Sequence, residues 1–154
     1  MNAPFFLPPH KFTQKILHYP EFKANYQDLG YGYVNYTWQD PRDSVTGDRL
    51  PDVSTHKGNI GVNIGLGKYV NFNSNLLVVG PRPRVNTDAR TDLAGYEVLD
   101  IALIFKNFYK AMEIRAAIHN LLDESYFDPA AVGTVATDYP REGINCLVDV
   151  RYRF

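Results

Sequence analysis

The sequence lacks several features that would place it in a common protein class. Its 154 residues include a single cysteine, Cys146, so no intramolecular disulfide can form. No unbroken apolar run is long enough for a transmembrane helix. The formal net charge is only -1, which gives no sign of a nucleic-acid partner. These absences argue against a disulfide-rich scaffold, a helical membrane protein and a polyanion-binding protein. Cys146 is interpreted as a small apolar residue.

Catalytic and metal-binding groups are also scarce. His56 and His119 lie in different segments, and neither has a further ligand at the spacing of a zinc or haem site. Asp40, Asp43 and Asp48 are close in sequence, but their spacing does not match an EF-hand loop. No nucleophile or base occurs at a spacing that supports a mechanism. We therefore predict no enzyme activity, no metal site and no cofactor.

The sequence is rich in segments in which apolar and polar residues alternate. Between Lys57 and Leu66 the even positions are apolar, apart from Gly58, and the odd positions are Lys, Asn or Gly. The even positions from Ile144 to Phe154 are all apolar. A period of two over this length is typical of a strand that crosses a bilayer at a tilt. The same pattern is found in residues 34–39, 70–78, 99–106 and 112–119.

The connections between these segments alternate in length. The long ones are residues 41–55, 81–93 and 120–141, and the short ones are residues 28–30, 67–68 and 107–109. Outer-membrane barrels have short periplasmic turns and longer extracellular loops. The sequence therefore predicts an all-β fold, an antiparallel up-and-down meander that forms part of a transmembrane β-barrel.

Four stretches resemble the C-terminal end of the barrel of TonB-dependent outer-membrane receptors. They are Tyr33–Asp40, Gly47–Pro51 followed by His56-Lys57, Gly95–Asp100, and Asn120–Tyr126 leading through Tyr139–Arg141 to Phe154. The stretches occur in the order of that family, and the resemblance covers about Tyr31 to Phe154. It implies an outer-membrane location, contact with lipid, and a role in the uptake of a ferric siderophore, cobalamin, haem or a similar scarce nutrient.

The resemblance also implies a longer protein. Receptors of this family have a TonB box, a plug domain and a barrel of about 22 strands. This sequence predicts six strands and a doubtful seventh at Phe22–Gln27, and Met1–Pro4 does not resemble a signal peptide. We therefore expect a C-terminal fragment that does not transport alone and that meets TonB only through a plug domain absent from this chain. Residues 1–20 are expected to be an atypical N-terminal segment that could be disordered, and residues 21–154 the barrel segment.

Two sets of residues are candidates for specific roles. The first is Arg82, Arg84 and Arg90, whose guanidinium groups could contact an anionic ferric chelate from a long loop. Solvated surface charge is the simpler alternative for these arginines. The second set lies in the last strand, which resembles the signal that the barrel-assembly machinery reads, with recognition by strand addition. Its residues are Val148, Val150, Tyr152 and Phe154.

The ends of the predicted sheet and one loop carry further expectations. Open sheet edges are expected at Gly30 and Phe154, where unpaired backbone groups would favour aggregation of the isolated chain. Asn120 is expected to cap a turn, and Leu121–Phe127 to form one helical turn at the barrel rim.

Two other architectures remain open. A complete eight-stranded outer-membrane barrel, with an adhesion or structural role, needs His10–Tyr19 and Phe22–Gln27 to be two separate strands. A soluble lipocalin-like binding barrel would place Val, Ile and Leu inside and the polar residues outside, and periodicity alone does not separate it from a membrane barrel. The alternating loop lengths and the terminal Phe154 favour the membrane barrel.

Overall fold

The computed structural model describes residues 12–18, 21–26, 29–107 and 109–153, and for residues 12–18 it describes the backbone only. These ranges contain ten strands and no helix, which confirms the predicted all-β fold. The strands are β1 (Phe12–His18), β2 (Glu21–Tyr26), β3 (Gly30–Asp43), β4 (His56–Leu66), β5 (Val70–Val79), β6 (Tyr96–Lys106), β7 (Met112–His119), β8 (Phe127–Asp128), β9 (Tyr139–Pro140) and β10 (Asn145–Tyr152).

Eight of these strands form one antiparallel sheet in which neighbours along the chain are also neighbours in space. The order runs from β3 through β4, β5, β6 and β7 to β10, and both β1 and β2 pair with β3. β2 pairs with the Gly30–Asn35 half of β3 and β1 with the Trp38–Asp43 half. β1 and β2 therefore lie in line and occupy one strand position, so that the sheet has seven positions. The predicted up-and-down meander is confirmed. β8 and β9 form a separate small hairpin within the last loop.

The first edge of the sheet differs from the expectation. The predicted open edge at Gly30 is wrong, because β2 pairs with that part of β3. The alternation in Phe12–His18 is too poor to predict a strand, yet its backbone pairs with β3 from Phe12 opposite Asp43 onward. Main-chain pairing, rather than a side-chain pattern, places this strand.

The sheet is open in the described part of the chain. β10 pairs with β7, and no described strand pairs with the other edge of β10. Because β1 and β2 share one position, they do not provide the two further strands that a complete eight-stranded barrel requires. The eight-stranded alternative is therefore wrong for this structure.

The cross-strand register separates the two faces of the sheet. Asn63 lies opposite Asn73 on one face, and Ile64 lies opposite Phe72 on the other. A groove of about 430 Å³ runs over the polar face, so this face is concave. The polar-face residues that line it include Tyr31, Asn73, Asp100, Arg115 and Asn145. A lipocalin-like barrel has its apolar residues around the cavity. Here Ala102, Ala117 and Leu147 also line the groove, but the large Ile and Phe side chains of β4 and β5 lie on the opposite face. This arrangement contradicts the lipocalin-like alternative.

The convex face carries large apolar side chains that no other described part of the chain covers. Their exposed fractions lie between 38% for Leu103 and 77% for Phe22. Other exposed apolar residues of this face are Val34, Ile60, Ile64, Val78, Val148 and Val150. A soluble sheet of this size would bury such a face against a second layer. The chain has no second layer within the described residues.

Burial is concentrated at the end of the sheet that carries the long connections. These connections span residues 44–55, 80–95 and 120–144, while the short ones span 27–29, 67–69 and 107–111, so the predicted alternation in length is confirmed. Val79, Leu93, Val98 and Ala130 are buried where the last two long loops meet the sheet. Among the described residues, the best-packed region is therefore where the long loops meet the sheet.

A strand glycine provides a test of packing on the concave face. Gly61 lies opposite Tyr33, and a Cβ added to Gly61 would be 2.4 Å from Tyr33 Cζ. The Tyr33 hydroxyl donates to Asn75 Oδ1 at 2.9 Å. We expect Gly61→Ala to displace the ring, break this bond and lower the free energy of unfolding by about 1–3 kcal/mol. Urea unfolding of the chain in detergent micelles would measure this loss.

Gly58→Ala is the matched control, because the nearest atom to its new Cβ would be 3.8 Å away. This variant should unfold at nearly the same urea concentration as the parent chain. An equal loss of stability in both variants would show that the Tyr33 ring does not depend on Gly61.

Candidate functional site

The candidate site lies at the long-loop end, where the β5–β6 loop meets the β7–β10 loop. The β5–β6 loop closes on itself through a main-chain bridge between Arg82 and Leu93, with both N–H···O distances 3.0 Å. The Arg84 N–H then donates to Asp92 Oδ1 at 3.1 Å. This closure brings the three arginines predicted from the sequence next to the β7–β10 loop.

Arg84 joins the two loops through a bidentate ion pair with Asp138. Arg84 Nη1 donates to Asp138 Oδ1 at 3.0 Å, and Nη2 donates to Oδ2. Arg84 Nε donates to the Thr91 carbonyl at 2.7 Å. The Arg84 and Asp138 side chains are only 7% and 17% exposed. Bidentate pairing at this burial fixes the geometry of both loops.

Arg90 extends the same network. Its Nε and Nη2 donate to the two carboxylate oxygens of Asp88, at 2.9 and 2.7 Å. Its Nη1 donates to Asp138 Oδ1 at 3.3 Å, and Nη2 also donates to the Ala130 carbonyl at 2.7 Å. Asp138 therefore accepts from two arginines, and it accepts from the Ala130 N–H at 3.1 Å as well.

Arg82 contacts the β7–β10 loop at a third point. Its Nη2 donates to the Phe127 carbonyl, and its Nη1 is 3.8 Å from Asp128 Oδ1. The guanidinium carbon is 5.4 Å from the centre of the Tyr96 ring, within the range of a cation–π contact. Tyr96 in turn stacks on Tyr126 with 4.5 Å between ring centres.

The structure brings the three predicted arginines together but does not leave them in solvent. The solvated-charge alternative is wrong for Arg82 and Arg84, whose side chains are 10% and 7% exposed. An anionic ligand would have to compete with the carboxylates that already bind Arg84 and Arg90. Contact with a ferric chelate therefore stays a prediction. The sequence analysis missed Asp138, which lies 48 residues beyond Arg90 and has no local signal. It also missed Asp88, although Asp88 is only two residues before Arg90.

The ion pairs lower the pKa of both acceptors. Hydrogen bonds from Arg90 lower the pKa of Asp88 from 3.8 to about 2, and hydrogen bonds from Arg84 lower that of Asp138 from 3.8 to about 2. The same pairing raises the pKa values of Arg84 and Arg90, because each guanidinium bonds to a carboxylate. The network is therefore fully ionised at neutral pH.

Asn120 fastens the base of the β7–β10 loop and is completely buried. Its Oδ1 accepts from the Glu124 N–H at 2.9 Å, and its Nδ2 donates to the carbonyls of Glu124 and Glu142 at 2.9 and 3.3 Å. Its own N–H donates to Asp100 Oδ1 at 3.0 Å. Asp123 Oδ1 accepts from the Ile144 N–H at 2.9 Å. The start and end of the loop are thus held together.

The capping role of Asn120 is confirmed, but the helical turn at Leu121–Phe127 is wrong. Asn120 and Asp123 have φ values of 52° and 51°, which end a right-handed helix before it can form. The Asn120 side chain binds both backbone groups of Glu124 and so replaces helical hydrogen bonds.

The concave face carries a network of asparagine amides. Asn63 donates to Asn73, Asn73 donates to Asn71 at 2.8 Å, and Asn71 donates back to Asn63 at 3.0 Å. Asn59 donates to Asn75 Oδ1 at 2.7 Å. These side chains satisfy one another across β4 and β5 and still present a polar surface to the groove.

Further along the groove, His119 Nδ1 lies 2.6 Å from Asp100 Oδ1. Among the described residues, no group of three or more His, Cys, Asp or Glu side chains could hold a metal ion. The acidic residues at the end of β3 have partners nearby, since Asp43 Oδ1 accepts from the Val45 N–H at 2.7 Å and Asp40 pairs with Arg42 at 2.8 Å.

The last strand presents its apolar residues on the convex face. Val148, Val150 and Tyr152 are 66%, 63% and 45% exposed, and Phe154 lies outside the described residues. Within the described ranges, no helix is long and apolar enough to span a membrane.

A comparison with protein-family models shows which family the chain belongs to. The family model for the β-barrel of TonB-dependent receptor-like proteins matches residues 20–121, more than half of the chain. The chain belongs to the TonB-dependent receptor barrel family. Searches of curated proteins and of solved structures gave no match. Members of this family are transporters, and their barrels lie in the outer membrane of Gram-negative bacteria.

The match to TonB-dependent receptor barrels covers the chain from the start of β2 to the end of β7. The matched residues include the asparagine network, the β5–β6 loop with its three arginines, and Asn120. The complete receptors of the family interact with TonB through a plug domain. The strand β10 and the Asp138 acceptor lie beyond the matched residues.

One prediction from this site concerns Asn120. Replacing the buried Asn120 by Ala would remove three hydrogen bonds to the Glu124 and Glu142 backbone groups, so we expect a loss of about 1–3 kcal/mol in the free energy of unfolding. Asn107→Ala is the matched control, because Asn107 also has a positive φ, of 54°, but is exposed in a short turn. Chemical unfolding of both variants in micelles would separate lost hydrogen bonds from backbone strain. Similar losses would exclude a special role for Asn120.

Another prediction from this site concerns the stability of the loops at low pH. Because pairing lowers the pKa of Asp88 and Asp138 to about 2, the network stabilises the loops above pH 3.8 and loses this effect as the pH falls through about 2. Hydrogen exchange of the Ala130 N–H, which donates to Asp138, should therefore accelerate across this interval. Asp138→Asn should remove the pH dependence, and Asp48→Asn should retain it. Constant protection down to pH 2 would contradict the assignment.

Proposed function

We propose that the chain forms the C-terminal part of the wall of an outer-membrane receptor, and that this receptor takes up a ferric siderophore or a similar scarce nutrient. The observation that carries the proposal is an open antiparallel sheet with a polar concave face and an exposed apolar convex face, in a chain of the TonB-dependent receptor barrel family. Lipid would cover the convex face, and water or a plug domain would cover the concave face.

The distribution of charge supports this orientation. Ionised side chains on a face that packs into a dry core would be costly. On the concave face of a receptor barrel they would meet water or the plug. The inward residues of the proposed wall are Asn59, Asn63, Asn71, Asn73, Asp100, Glu113, Arg115, Asp149 and Arg151.

We propose that this chain does not transport the nutrient by itself. Its sheet has seven strand positions and is open, whereas barrels of outer-membrane transporters of this kind have about 22 strands. Energy coupling requires the plug domain on which TonB acts. The role proposed for this chain is therefore to supply wall strands and three long loops to a larger barrel.

We propose that the three loop arginines contribute to ligand binding in two ways, by direct contact and by holding the loops in place. Arg90 is the most exposed of the three, at 29%, and would be the direct contact for an anionic chelate. Arg82 and Arg84 are buried and would act by holding the two loops together. In the complete receptor, Arg90→Ala should weaken ferric-chelate binding about tenfold if one exposed charge-assisted contact is lost. Arg49→Ala, in the neighbouring loop, is the control and should have little effect.

The last strand is proposed to be read by the barrel-assembly machinery. Val148, Val150 and Tyr152 lie on the exposed convex face of a strand whose outer edge has no described partner. Such an edge suits recognition by strand addition. Phe154 belongs to the same sequence pattern.

The DNA upstream of the Met1 codon tests the proposed function. Translated in all frames, it should encode a plug domain and earlier barrel strands. Unrelated coding sequence or a promoter at this position would overturn the receptor role and require another explanation for the exposed apolar face.

A further inference from the structure

The end of the sheet that carries the short connections is rich in basic side chains. We call residues 66–70, 105–107, 109–113 and 151–153 the short-turn rim. One side chain of the rim, Glu113, is acidic, and five exposed ones are basic. The basic residues are Lys68, Lys106, Lys110, Arg151 and Arg153. The rim is therefore positive, although the formal net charge of the whole chain is -1.

Main-chain hydrogen bonds hold the parts of the rim side by side. The Lys106 N–H donates to the Tyr69 carbonyl at 2.7 Å and links β6 to the β4–β5 turn. The Arg153 N–H donates to the Ala111 carbonyl at 3.4 Å and links the end of β10 to the β6–β7 turn. Neighbouring strands are about 4.8 Å apart, so the centres of the two turns are roughly 10 Å apart. This distance is about one Debye length at 0.1 M salt, and the positive fields of the two turns therefore overlap.

The chain itself neutralises only part of this charge. Glu113 Oε1 is 4.0 Å from Arg151 Nη1, and Glu113 lies opposite Lys106 in the register. Among the described residues, no carboxylate forms an ion pair with Lys68, Lys110 or Arg153. Three cations of the rim are thus available to a partner from outside the chain.

The arginines of the long loops are in a different state. Arg84, Arg90 and Arg141 each pair with a carboxylate of this chain. An outside anion would have to displace these carboxylates, whereas no such competition exists for the three cations of the short-turn rim.

The rim combines its cations with aromatic and apolar surface. Lys68 Nζ is 5.1 Å from the centre of the Tyr69 ring, and Lys110 Nζ is 5.4 Å from that of Tyr109. Tyrosine rings and lysine stems of this kind favour the interface between hydrocarbon and headgroups. Leu66, on the convex face next to the β4–β5 turn, is 53% exposed. The rim therefore fits a partner that is both apolar and anionic.

We propose that the short-turn rim binds anionic phospholipids of the phosphatidylglycerol class. The lipid phosphate accepts hydrogen bonds from Lys68, Lys110 and Arg153, and the acyl chains lie against Leu66 and the rest of the convex face. This inference rests on the proposed lipid contact of the convex face, and it adds which lipid is selected and at which end of the sheet. Because the whole chain is slightly anionic, a preference for anionic lipid has to come from a local patch.

Vesicle binding by the full chain tests the proposal, once circular dichroism in detergent micelles has shown β-sheet. The chain is diluted from micelles onto vesicles of phosphatidylcholine, or of equal parts of phosphatidylcholine and phosphatidylglycerol, and the fluorescence of Trp38 reports binding. We expect at least tenfold tighter binding to the anionic vesicles, because each basic side chain near an anionic surface contributes about a fivefold gain in affinity. Equal binding to both would overturn this inference and leave the lipid-facing wall intact. Binding to neither would overturn the lipid-facing wall and this inference with it.

Two double variants locate the binding. Lys68→Gln/Lys110→Gln removes two cations of the rim and should reduce the preference for phosphatidylglycerol at least tenfold, with binding to phosphatidylcholine unchanged. Arg49→Gln/Lys57→Gln removes the same charge at the long-loop end and is the matched control. A preference retained in the first variant, or lost equally in both, would contradict selection by the rim. If the first variant fails to fold, a preference of the parent chain that does not fall as salt is raised would also contradict it.

Discussion

The main-chain pairing that runs from β3 through β4 and β5 to β6 is the interaction on which the rest of the structure depends. β4 and β5, and then β5 and β6, are each joined over ten consecutive residue pairs without a bulge. An unbroken antiparallel register keeps every second side chain on the same face. A slip of one residue would bring the asparagines to the convex face and the isoleucines to the groove. The polar and apolar faces are therefore consequences of this register.

The asparagine network and Tyr33 reinforce the register from the concave side. The amides of Asn63, Asn71 and Asn73 form a closed ring of hydrogen bonds between neighbouring strands, which only the observed pairing allows. At the long-loop end, Asn120 and the arginine network perform a similar task for the loops. Polar contacts thus replace the hydrophobic core that a soluble domain of this length would have.

The sequence predicts the sheet well where side chains decide its structure. The strict alternation of Lys57–Leu66 identifies β4 and its two faces, because period-two patterning is the direct result of the pleat. β1 was not predicted, because its position follows from main-chain pairing with β3 and its own side chains carry little pattern. Likewise, the alternation of loop lengths reveals the two ends of the barrel wall.

The candidate site was predicted only in part. The arginines stand out in sequence, but their acceptor Asp138 lies 54 residues from Arg84, and only the folded loops bring the two together. The cap at Asn120 was foreseen from residue type, whereas its left-handed backbone depends on contacts with Glu142 and Asp100 that have no local signature. Long-range polar contacts of this kind cannot be read from periodicity.

The most direct test of the central claim is the environment of the two faces in a lipid bilayer. Spin labels at Ile60 and Ile64, on the convex face, and at Asn59 and Asn63, on the concave face, can be compared for collision with oxygen and with a water-soluble nickel chelate. The account predicts that the first pair is accessible to oxygen and the second pair to the chelate. Equal accessibility at all four positions, or the reverse order, would contradict a barrel wall with lipid on its convex side.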